Sequence, residues 1–334
     1  MARPLKKTTS KITDPLDVPT PVTQDYVTRL LDALKAQKRL SITQANCLLA
    51  QARKTLEILP NILEINVPEG KELTVVGDTH GQFYDLLNLF EKNGMPSPEN
   101  PYLINGDFVD RGSFGTEICF LLFALKIASP DSIHLLRGNH ESATCTADYG
   151  FRDEVHDKYN PAVYQNFLFV FNALPLCAVI NKSVFVVHGG LFTRSPVKLS
   201  EIKSIDRFHE PGEEGGELLM AQMLWSDPCE ARGYKPTLRP FGCSFGPDVT
   251  AEFLAKNDLE RIIRSHEVRQ QGYSMEHGGK LITVFSAPCY CDERNKGGFL
   301  RLCGESCEVK FLQFDTVPHP ACKMYFDQSG CRGM

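Results

Sequence analysis

The chain has 334 residues, of which 42% are hydrophobic and 23% are charged, so a chain that is disordered throughout is excluded. The net charge of -5, from 36 basic and 41 acidic side chains, argues against nucleic acid as a partner because a polyanion needs a basic surface. The apolar stretch 118–128 is interrupted by Lys126 and is shorter than the roughly 20 residues of a membrane helix, so no membrane span is predicted.

The N-terminal residues 1–21 are predicted to form a flexible tail, since they combine basic side chains with several prolines. No apolar run follows the basic residues, so the segment is not a secretory signal. The 12 cysteines are scattered through a large chain rather than concentrated in a small secreted domain, and we interpret them mainly as thiols. Free thiols indicate a reducing compartment, so we expect the protein in the cytoplasm and also in the nucleus.

Two helices are predicted next. Apolar residues at Val27, Leu30, Leu31 and Leu34 fall on one helical face. A second helix is predicted to begin at Ser41, which has capping-box spacing to Gln44. Both helices are expected to pack on the core formed by the rest of the domain.

After residue 68 the chain alternates between short apolar runs and amphipathic helical patterns. Strands are predicted at 73–76, 102–104, 133–136, 184–187, 261–263 and 281–285, and helices near 83–90 and 117–128. An acidic, glycine-rich loop is predicted at 211–217. The succession predicts an α/β fold in which helices cover a buried sheet, with one domain over 22–320 and a C-terminal tail at 321–334.

Polar clusters follow five of the predicted strands directly. In an open α/β sheet, ligands bind beyond the carboxyl ends of the strands, so we expect these clusters to converge. Their carboxylates, imidazoles and amide form a mixed oxygen and nitrogen ligand set that suits Mn, Fe or Zn, and their number suits two ions. The clusters are Gly77-Asp78-Thr79-His80-Gly81, Gly106-Asp107-Phe108-Val109-Asp110-Arg111-Gly112, Arg137-Gly138-Asn139-His140-Glu141, His188-Gly189-Gly190 and Ser265-His266-Glu267.

Each polar residue taken alone has an ordinary structural explanation. Asp78 could cap the helix that follows it, His80 could be a hydrogen-bonded loop histidine and Asn139 could be a turn residue. The fixed order of the clusters, each after a strand, makes coincidence improbable.

These motifs resemble those of the metal-dependent serine/threonine phosphoprotein phosphatases of the metallophosphoesterase superfamily. The resemblance spans 22–320, and within the family the chain is most similar to the catalytic domain of the type 5 protein phosphatases. It implies a β-sandwich of mixed sheets flanked by helices, with a dimetal site at the carboxyl ends of the strands. The motifs are GDTHGQFYDLL, NGDFVDRGSF, LLRGNHES, VVHGGL, WSDP, SFGPDVTAEFL, IIRSHEV, RSHEVRQQGY, VFSAPCYCD and QFDTVPHP.

The resemblance assigns a metal-binding role to six residues. Asp78 and His80 would hold one metal, Asp107 would bridge, and Asn139, His188 and His266 would hold the other. Two ions in such a site share and activate a water for in-line attack on phosphorus, so the nucleophile would be a bridging hydroxide rather than a side chain. The cofactors expected are two ions, either Mn or Fe with Zn.

The resemblance also implies the groups that act on the substrate. Arg111 and Arg239 would bind the phosphate together with Asn139, because guanidinium groups match phosphate oxygens in geometry and charge. His140, kept protonated by Asp110, would donate a proton to the leaving serine or threonine oxygen. Two alternatives stay open here: Asp110 could instead pair with Arg137 or Arg111, and Arg239 could be an ordinary surface arginine.

Residues 289–291 are expected at the mouth of the site. The resemblance places Tyr290 at the mouth and Cys291 at a position that reacts with cyclic-peptide toxins in this family. Cys289 stands where members usually have Asn, and Pro-Phe-Gly follows Arg239 where they usually have Gly-Val-Ser. Trp225, the only tryptophan, is predicted to pack in the core rather than to contact substrate.

The predicted function is hydrolysis of phosphoserine and phosphothreonine in proteins, with phosphorylated proteins and regulatory or targeting subunits as partners. The type 5 enzymes carry an N-terminal array of helical repeats that restrains the active site, and with only a short basic tail here we expect no such restraint. Two alternatives remain: a phosphatase acting on dinucleotides or other small phosphoesters, and a catalytically impaired scaffold that binds phosphoproteins.

Overall fold

The computed structural model describes residue 14 and residues 16–194, 196–304 and 306–327. Most of the predicted flexible tail, and the last seven residues of the predicted C-terminal tail, lie outside the described residues.

Both predicted N-terminal helices are confirmed, and local hydrogen bonds explain where each one begins. Helix α1 spans Gln24–Lys35, and the Thr23 side chain accepts a hydrogen bond from the backbone N–H of Tyr26. Helix α2 spans Ile42–Glu57, and Ser41 and Gln44 form the predicted reciprocal capping box. The apolar faces of the two helices join a large core cluster with the buried helix that follows the third strand.

Two mixed sheets form a sandwich, and a small sheet lies beside it. One sheet has six strands in the order β1-β5-β6-β10-β12-β11, and the other has five in the order β14-β13-β2-β3-β4. A three-stranded sheet has the order β7-β9-β8. The strands are β1 Ile62–Ile65, β2 Glu72–Val76, β3 Tyr102–Ile104, β4 Ile133–Leu135, β5 Cys177–Ile180, β6 Val184–Val187, β7 Asp227–Pro228, β8 Tyr234–Lys235, β9 Ser244–Phe245, β10 Arg261–Arg264, β11 Tyr273–Glu276, β12 Leu281–Val284, β13 Gly297–Cys303 and β14 Val309–Phe314.

The central strands are apolar because both of their faces are covered. Residues of β2, β3, β6, β10 and β12 form a fully buried cluster between the two main sheets, while the helices cover the outer faces. The remaining helices are α3 Phe83–Asn93, α4 Gly115–Ala128, α5 Ala143–Asp148, α6 Phe151–Lys158, α7 Pro161–Asn172, α8 Leu199–Lys203, α9 Gly215–Trp225 and α10 Pro247–Asn257. The predicted β-sandwich of mixed sheets flanked by helices is confirmed.

One predicted boundary is wrong. The loop predicted for 211–217 ends earlier, because α9 begins at Gly215. Gly215, Gly216 and Glu217 favour a loop by their local propensity. They form the first turn of α9 instead, because the apolar residues that follow are buried as a helix. Within the described part of the chain, no helix is long and apolar enough to cross a membrane.

Candidate active site

The predicted polar clusters lie at one edge of the sandwich. In the five-stranded sheet, β2, β3 and β4 are parallel neighbours, so the residues after their carboxyl ends lie side by side. In the six-stranded sheet, β10 pairs in parallel with β6 and β12. A β-bridge between Asp78 and Phe285 joins the ends of the two sheets. The topology therefore brings all five clusters together.

Asp107 lies at the centre of this edge. Its backbone has a φ of +51°, a left-handed conformation that an aspartate adopts more readily than most residues. Its Oδ2 atom is 3.6 Å from His80 Nε2 and 3.4 Å from His188 Nε2. The carboxylate therefore faces imidazoles from both sides of the site, which is the position that a bridging ligand needs.

One half of the centre comes from the turn after β2. Asp78 Oδ2 lies 3.7 Å from His80 Nε2. The Nδ1–H of His80 donates to the carbonyl oxygen of Val109 at 3.0 Å, which leaves Nε2 directed at the carboxylates. His80 thus presents the nitrogen that could bind a metal.

The other half comes from the ends of β4, β6 and β10. The Nδ1–H of His188 donates to the carbonyl oxygen of Asn105 at 2.8 Å, and its Nε2 lies 2.9 Å from Asn139 Oδ1. His266 packs against His188 with ring centroids 5.2 Å apart. Ligand atoms of Asp107, His188 and His266 all lie within 4.8 Å of one another, as do those of Asp107, His80 and His140. Asp107 belongs to both groups.

These residues fit a metal centre because two of their buried polar atoms make no hydrogen bond. Among the described residues, Asp78 Oδ2 and His266 Nε2 are fully enclosed and have no hydrogen-bond partner. A buried polar atom without a partner costs about 1–3 kcal/mol, and cations bound in the two halves of the centre would satisfy these two atoms. The donor set of carboxylates, imidazoles and one amide suits a divalent or trivalent transition metal.

The electrostatics of the centre also favour a cation. Burial and the neighbouring Asp107 charge raise the pKa of Asp78 to about 8. Burial lowers the pKa of His188, yet the Asp107 and Asp78 carboxylates outweigh it and raise that pKa to about 9. Burial alone would raise the pKa of Asp107, but the surrounding imidazoles hold it well below its usual value. The field between the two carboxylates therefore stabilises positive charge.

Glu141 fixes the backbone on which Asp107 lies. Its two carboxylate oxygens accept hydrogen bonds of 2.8 Å from the backbone N–H groups of Asp107, Phe108 and Gly138. The backbone N–H of His140 donates to Asp107 Oδ1 at 3.0 Å. Glu141 therefore joins the turns after β3 and β4.

This packing leaves no room for a side chain at Gly138, and we predict that Gly138→Ala is destabilising. A β-carbon there would overlap Asp107 Oδ1 and the Asp107 backbone nitrogen. The free energy of unfolding should fall by about 1–3 kcal/mol, as for overpacked cores, and activity should fall as Asp107 is displaced. Urea denaturation measures the first effect. Gly216→Ala is the control, because the nearest atom to its β-carbon would be at 3.8 Å; an equal loss there would refute the steric argument.

The predicted pair of His140 and Asp110 is in contact. His140 Nδ1 lies 2.6 Å from Asp110 Oδ2, and Asp110 Oδ1 accepts a hydrogen bond from the backbone N–H of Phe151. Burial lowers the pKa of His140 to about 4, and burial raises the pKa of Asp110 well above its usual value. The open alternative in which Asp110 pairs with Arg137 does not hold, because the Arg137 guanidinium binds Glu141 O, Arg207 O, His209 O and Asn172 Oδ1.

A cavity of about 400 Å³ opens over the centre. Its wall includes His80, Asp107, His140 and His266 together with both predicted arginines, Arg111 and Arg239. Asp78, Asp110, Asn139 and His188 do not line it and lie buried behind this wall. A phosphate in the cavity would therefore meet cationic side chains in front of the predicted metal ligands.

The two arginines are held differently. Arg111 is 9% exposed, its backbone φ is +68°, and its guanidinium lies 4.1 Å from the centre of the Tyr149 ring. Arg239 is about one-third exposed, and its Nε donates to Asp227 Oδ2 at 2.9 Å. Arg239 therefore lines the cavity despite the Pro-Phe-Gly that follows it.

Two of the predicted mouth residues, Tyr290 and Cys291, also line this cavity, whereas Cys289 does not. The Tyr290 ring lies 4.8 Å from that of His80, and Cys291 is beside it. Cys289 is exposed and has a φ of +50°, a conformation that Asn adopts more readily than Cys. Trp225 belongs to the core as predicted, and its ring also packs edge-on against His266 at 5.7 Å.

Three further residues of the sequence motifs, for which no role was predicted, also build the site: Asn105, Glu141 and Asp227. Asn105 anchors His188 through its carbonyl oxygen, and its Nδ2 donates to Val187 O and Ser265 Oγ. Glu141 organises the turns as described. Asp227 binds Arg239 and Arg264. Burial acts to raise the pKa of Asp227, but His266, Arg264 and Arg239 together hold it below its usual value. The sequence signal for these three roles is that the residues lie inside the NGD, GNHE and WSDP motifs.

Residues 72–270 match the calcineurin-like phosphoesterase family. The chain is similar to serine/threonine-protein phosphatase 5 of Solanum lycopersicum, with 54% identity over 90% of the chain. Human serine/threonine-protein phosphatase 5 is 47% identical over the same share. These alignments span 54% and 60% of the two relatives, so the chain spans little more than half the length of the curated relatives it matches.

A solved structure extends the comparison to three dimensions. The structure of a protein serine/threonine phosphatase from Saccharomyces cerevisiae superimposes with a TM-score of 0.86 and is 39% identical. The match covers 91% of this chain and 99% of that chain. The resemblance inferred from the motifs is therefore confirmed over nearly the whole of a solved relative.

Proposed function

The chain belongs to the calcineurin-like phosphoesterases, in their serine/threonine protein phosphatase branch, and we propose that it hydrolyses phosphoserine and phosphothreonine in proteins. The observation that supports this most directly is one cavity in which two arginines face a buried Asp-His centre with orphaned ligand atoms. That arrangement suits a phosphate monoester. The names of the relatives supply the protein substrate class.

Six residues would hold the metal ions. Asp78 and His80 would bind on one side, Asn139, His188 and His266 on the other, and Asp107 between them. When bound, two such ions supply Lewis acidity and activate water for attack on phosphorus. We propose Mn, or Fe with Zn, on the basis of the mixed oxygen and nitrogen donors.

The arginines would bind and orient the phosphate. Guanidinium groups donate pairs of hydrogen bonds to phosphate oxygens and offset the charge that gathers on them in the transition state. Arg111 is nearly buried, so its charge acts in a less screened environment than that of Arg239. Arg111 should therefore contribute more to phosphate binding than Arg239.

His140 would supply the proton that the leaving oxygen needs. Its Nδ1 is engaged by Asp110 at 2.6 Å, so Nε2 is directed into the cavity that His140 lines. Burial lowers the pKa of His140 to about 4, so the ring would gain its proton when the anionic phosphate binds in the cavity. The charged imidazole, stabilised by the Asp110 carboxylate, would then donate from Nε2. No side chain needs to form a covalent bond with phosphorus.

The decisive experiment is phosphate release from a phosphothreonine peptide by the purified protein with added Mn²⁺. A dinucleotide polyphosphate serves as the competing substrate. We expect turnover of the peptide to exceed turnover of the dinucleotide. Preferential cleavage of the dinucleotide would favour a small-phosphoester phosphatase, and binding of the phosphopeptide without turnover of either substrate would favour a scaffold.

A further inference from the structure

Residues 316–327, here called the C-terminal segment, follow the last strand and run across the surface to Arg111. Asp85 of α3 anchors its first part, accepting hydrogen bonds of 2.8 Å from the backbone N–H of Val317 and 2.7 Å from His319 Nε2. Asp157 of α6 anchors the second part, binding Lys323 Nζ at 2.7 Å and the Tyr325 hydroxyl at 2.8 Å. The segment is therefore held at two separate points of the domain.

The end of the segment reaches the active-site wall. The ring centre of Phe326 lies 4.5 Å from the Arg111 guanidinium carbon, and Met324 Sδ lies 3.8 Å from Ser113 Oγ. The rings of Phe326 and Tyr149 are 5.8 Å apart at an interplanar angle of 64°. The two rings thus form a corner, and the Arg111 guanidinium lies in it.

The backbone beneath this corner is shaped to admit the segment. Gly150 has a φ of +112°, and a β-carbon there would lie 3.1 Å from Tyr325 O and 3.2 Å from Phe326 Cβ. The backbone N–H of Arg111 donates to the carbonyl oxygen of Tyr149 at 3.0 Å. The same short stretch therefore fixes the Arg111 backbone and makes room for Phe326.

We propose that Phe326 is a positioning residue for phosphate binding, and that the C-terminal segment belongs functionally to the catalytic domain. This inference rests on the proposed function, because Arg111 is the phosphate-binding group of that proposal. A guanidinium over aromatic faces is attracted by the ring quadrupole while its N–H groups stay available at the edge. Two rings at an angle restrict the side chain to one orientation, so less conformational entropy is lost when phosphate binds.

Phe326→Ala should weaken phosphate binding without stopping turnover. We expect KM for the phosphothreonine peptide to rise about threefold to tenfold, with kcat changed by less than about twofold, because the interaction exists before and during reaction. The inhibition constant of inorganic phosphate should rise by the same factor. Phe326→Tyr keeps the ring and should restore both constants, whereas Phe326→Leu should not.

Phe169→Ala is the matched control, since Phe169 lies over the Arg53 guanidinium at 5.0 Å and is 43% exposed on α7. It should leave both constants unchanged. Unchanged constants in Phe326→Ala would overturn the proposal. Lower KM or higher kcat would also overturn it, because the segment would then obstruct the cavity.

A second measurement does not depend on turnover. The rate at which phenylglyoxal modifies Arg111, mapped by mass spectrometry, should rise in Phe326→Ala and stay unchanged in Phe169→Ala. If the wild-type protein hydrolyses no phosphopeptide, the proposed function fails, and this rate still decides whether Phe326 restrains Arg111. An unchanged modification rate would overturn the positioning role in either case.

Discussion

Asp107→Asn is expected to lower phosphatase activity by at least about a thousandfold, since it removes charge stabilisation from the centre of the site. Asp107 Oδ2 faces His80 Nε2 and His188 Nε2 at 3.6 and 3.4 Å, so it is the carboxylate shared by both halves. The amide nitrogen of Asn would point an N–H donor at one of the two metal sites, where a ligand must accept. The neutral amide would also fail to offset the positive charge of two metal ions. The measurements are kcat on a phosphothreonine peptide with Mn²⁺ and the amount of metal bound after desalting.

The fold should survive this substitution, because Glu141 still accepts the backbone N–H of residue 107 and the Asn Oδ1 can still accept the backbone N–H of His140. Asp153→Asn is the control, as the Asp153 side chain is 60% exposed on α6. It should retain wild-type activity and metal content. Activity within tenfold of wild type in Asp107→Asn would contradict the bridging role.

Much of the site could be predicted because its chemistry is encoded locally. The strand Tyr102–Ile104 is a short apolar run that ends at once in Asn-Gly-Asp, and both the strand and the position of Asp107 follow from that pattern. The same holds for Asp78 after β2 and His188 after β6. Parallel pairing then brings the strand ends together without further information.

Other features depend on contacts between distant segments, and the sequence carries little local signal for them. Glu141 is a helix-forming acidic residue by propensity, yet in the fold it accepts three backbone N–H groups from two turns. Phe326 follows a stretch that reads as an irregular tail, and its contact with Arg111 exists only after the domain has formed. Such roles are set by tertiary geometry rather than by periodicity or turn chemistry.

The proposed roles of His140 and Asp110 predict an effect that depends on the leaving group. We expect His140→Gln to lower kcat on a phosphothreonine peptide by about a hundredfold to ten-thousandfold, the usual contribution of a general acid. Asp110→Asn should have a smaller effect in the same direction, because Asn still accepts the bond from Nδ1 of His140 but cannot stabilise the charged ring.

An aryl phosphate separates proton donation from simple disruption of the site. A nitrophenolate is a stable anion and leaves without a proton, whereas the threonine oxygen must be protonated as it leaves. Both variants should therefore retain far more activity on the aryl ester than on the peptide. Metal content should stay at the wild-type level. His156→Gln is the matched control, as its ring packs on Tyr164 outside the cavity, at a centroid distance of 5.4 Å. Equal losses on both substrates would mean that His140 binds or orients phosphate instead, and the leaving oxygen would then take its proton from solvent.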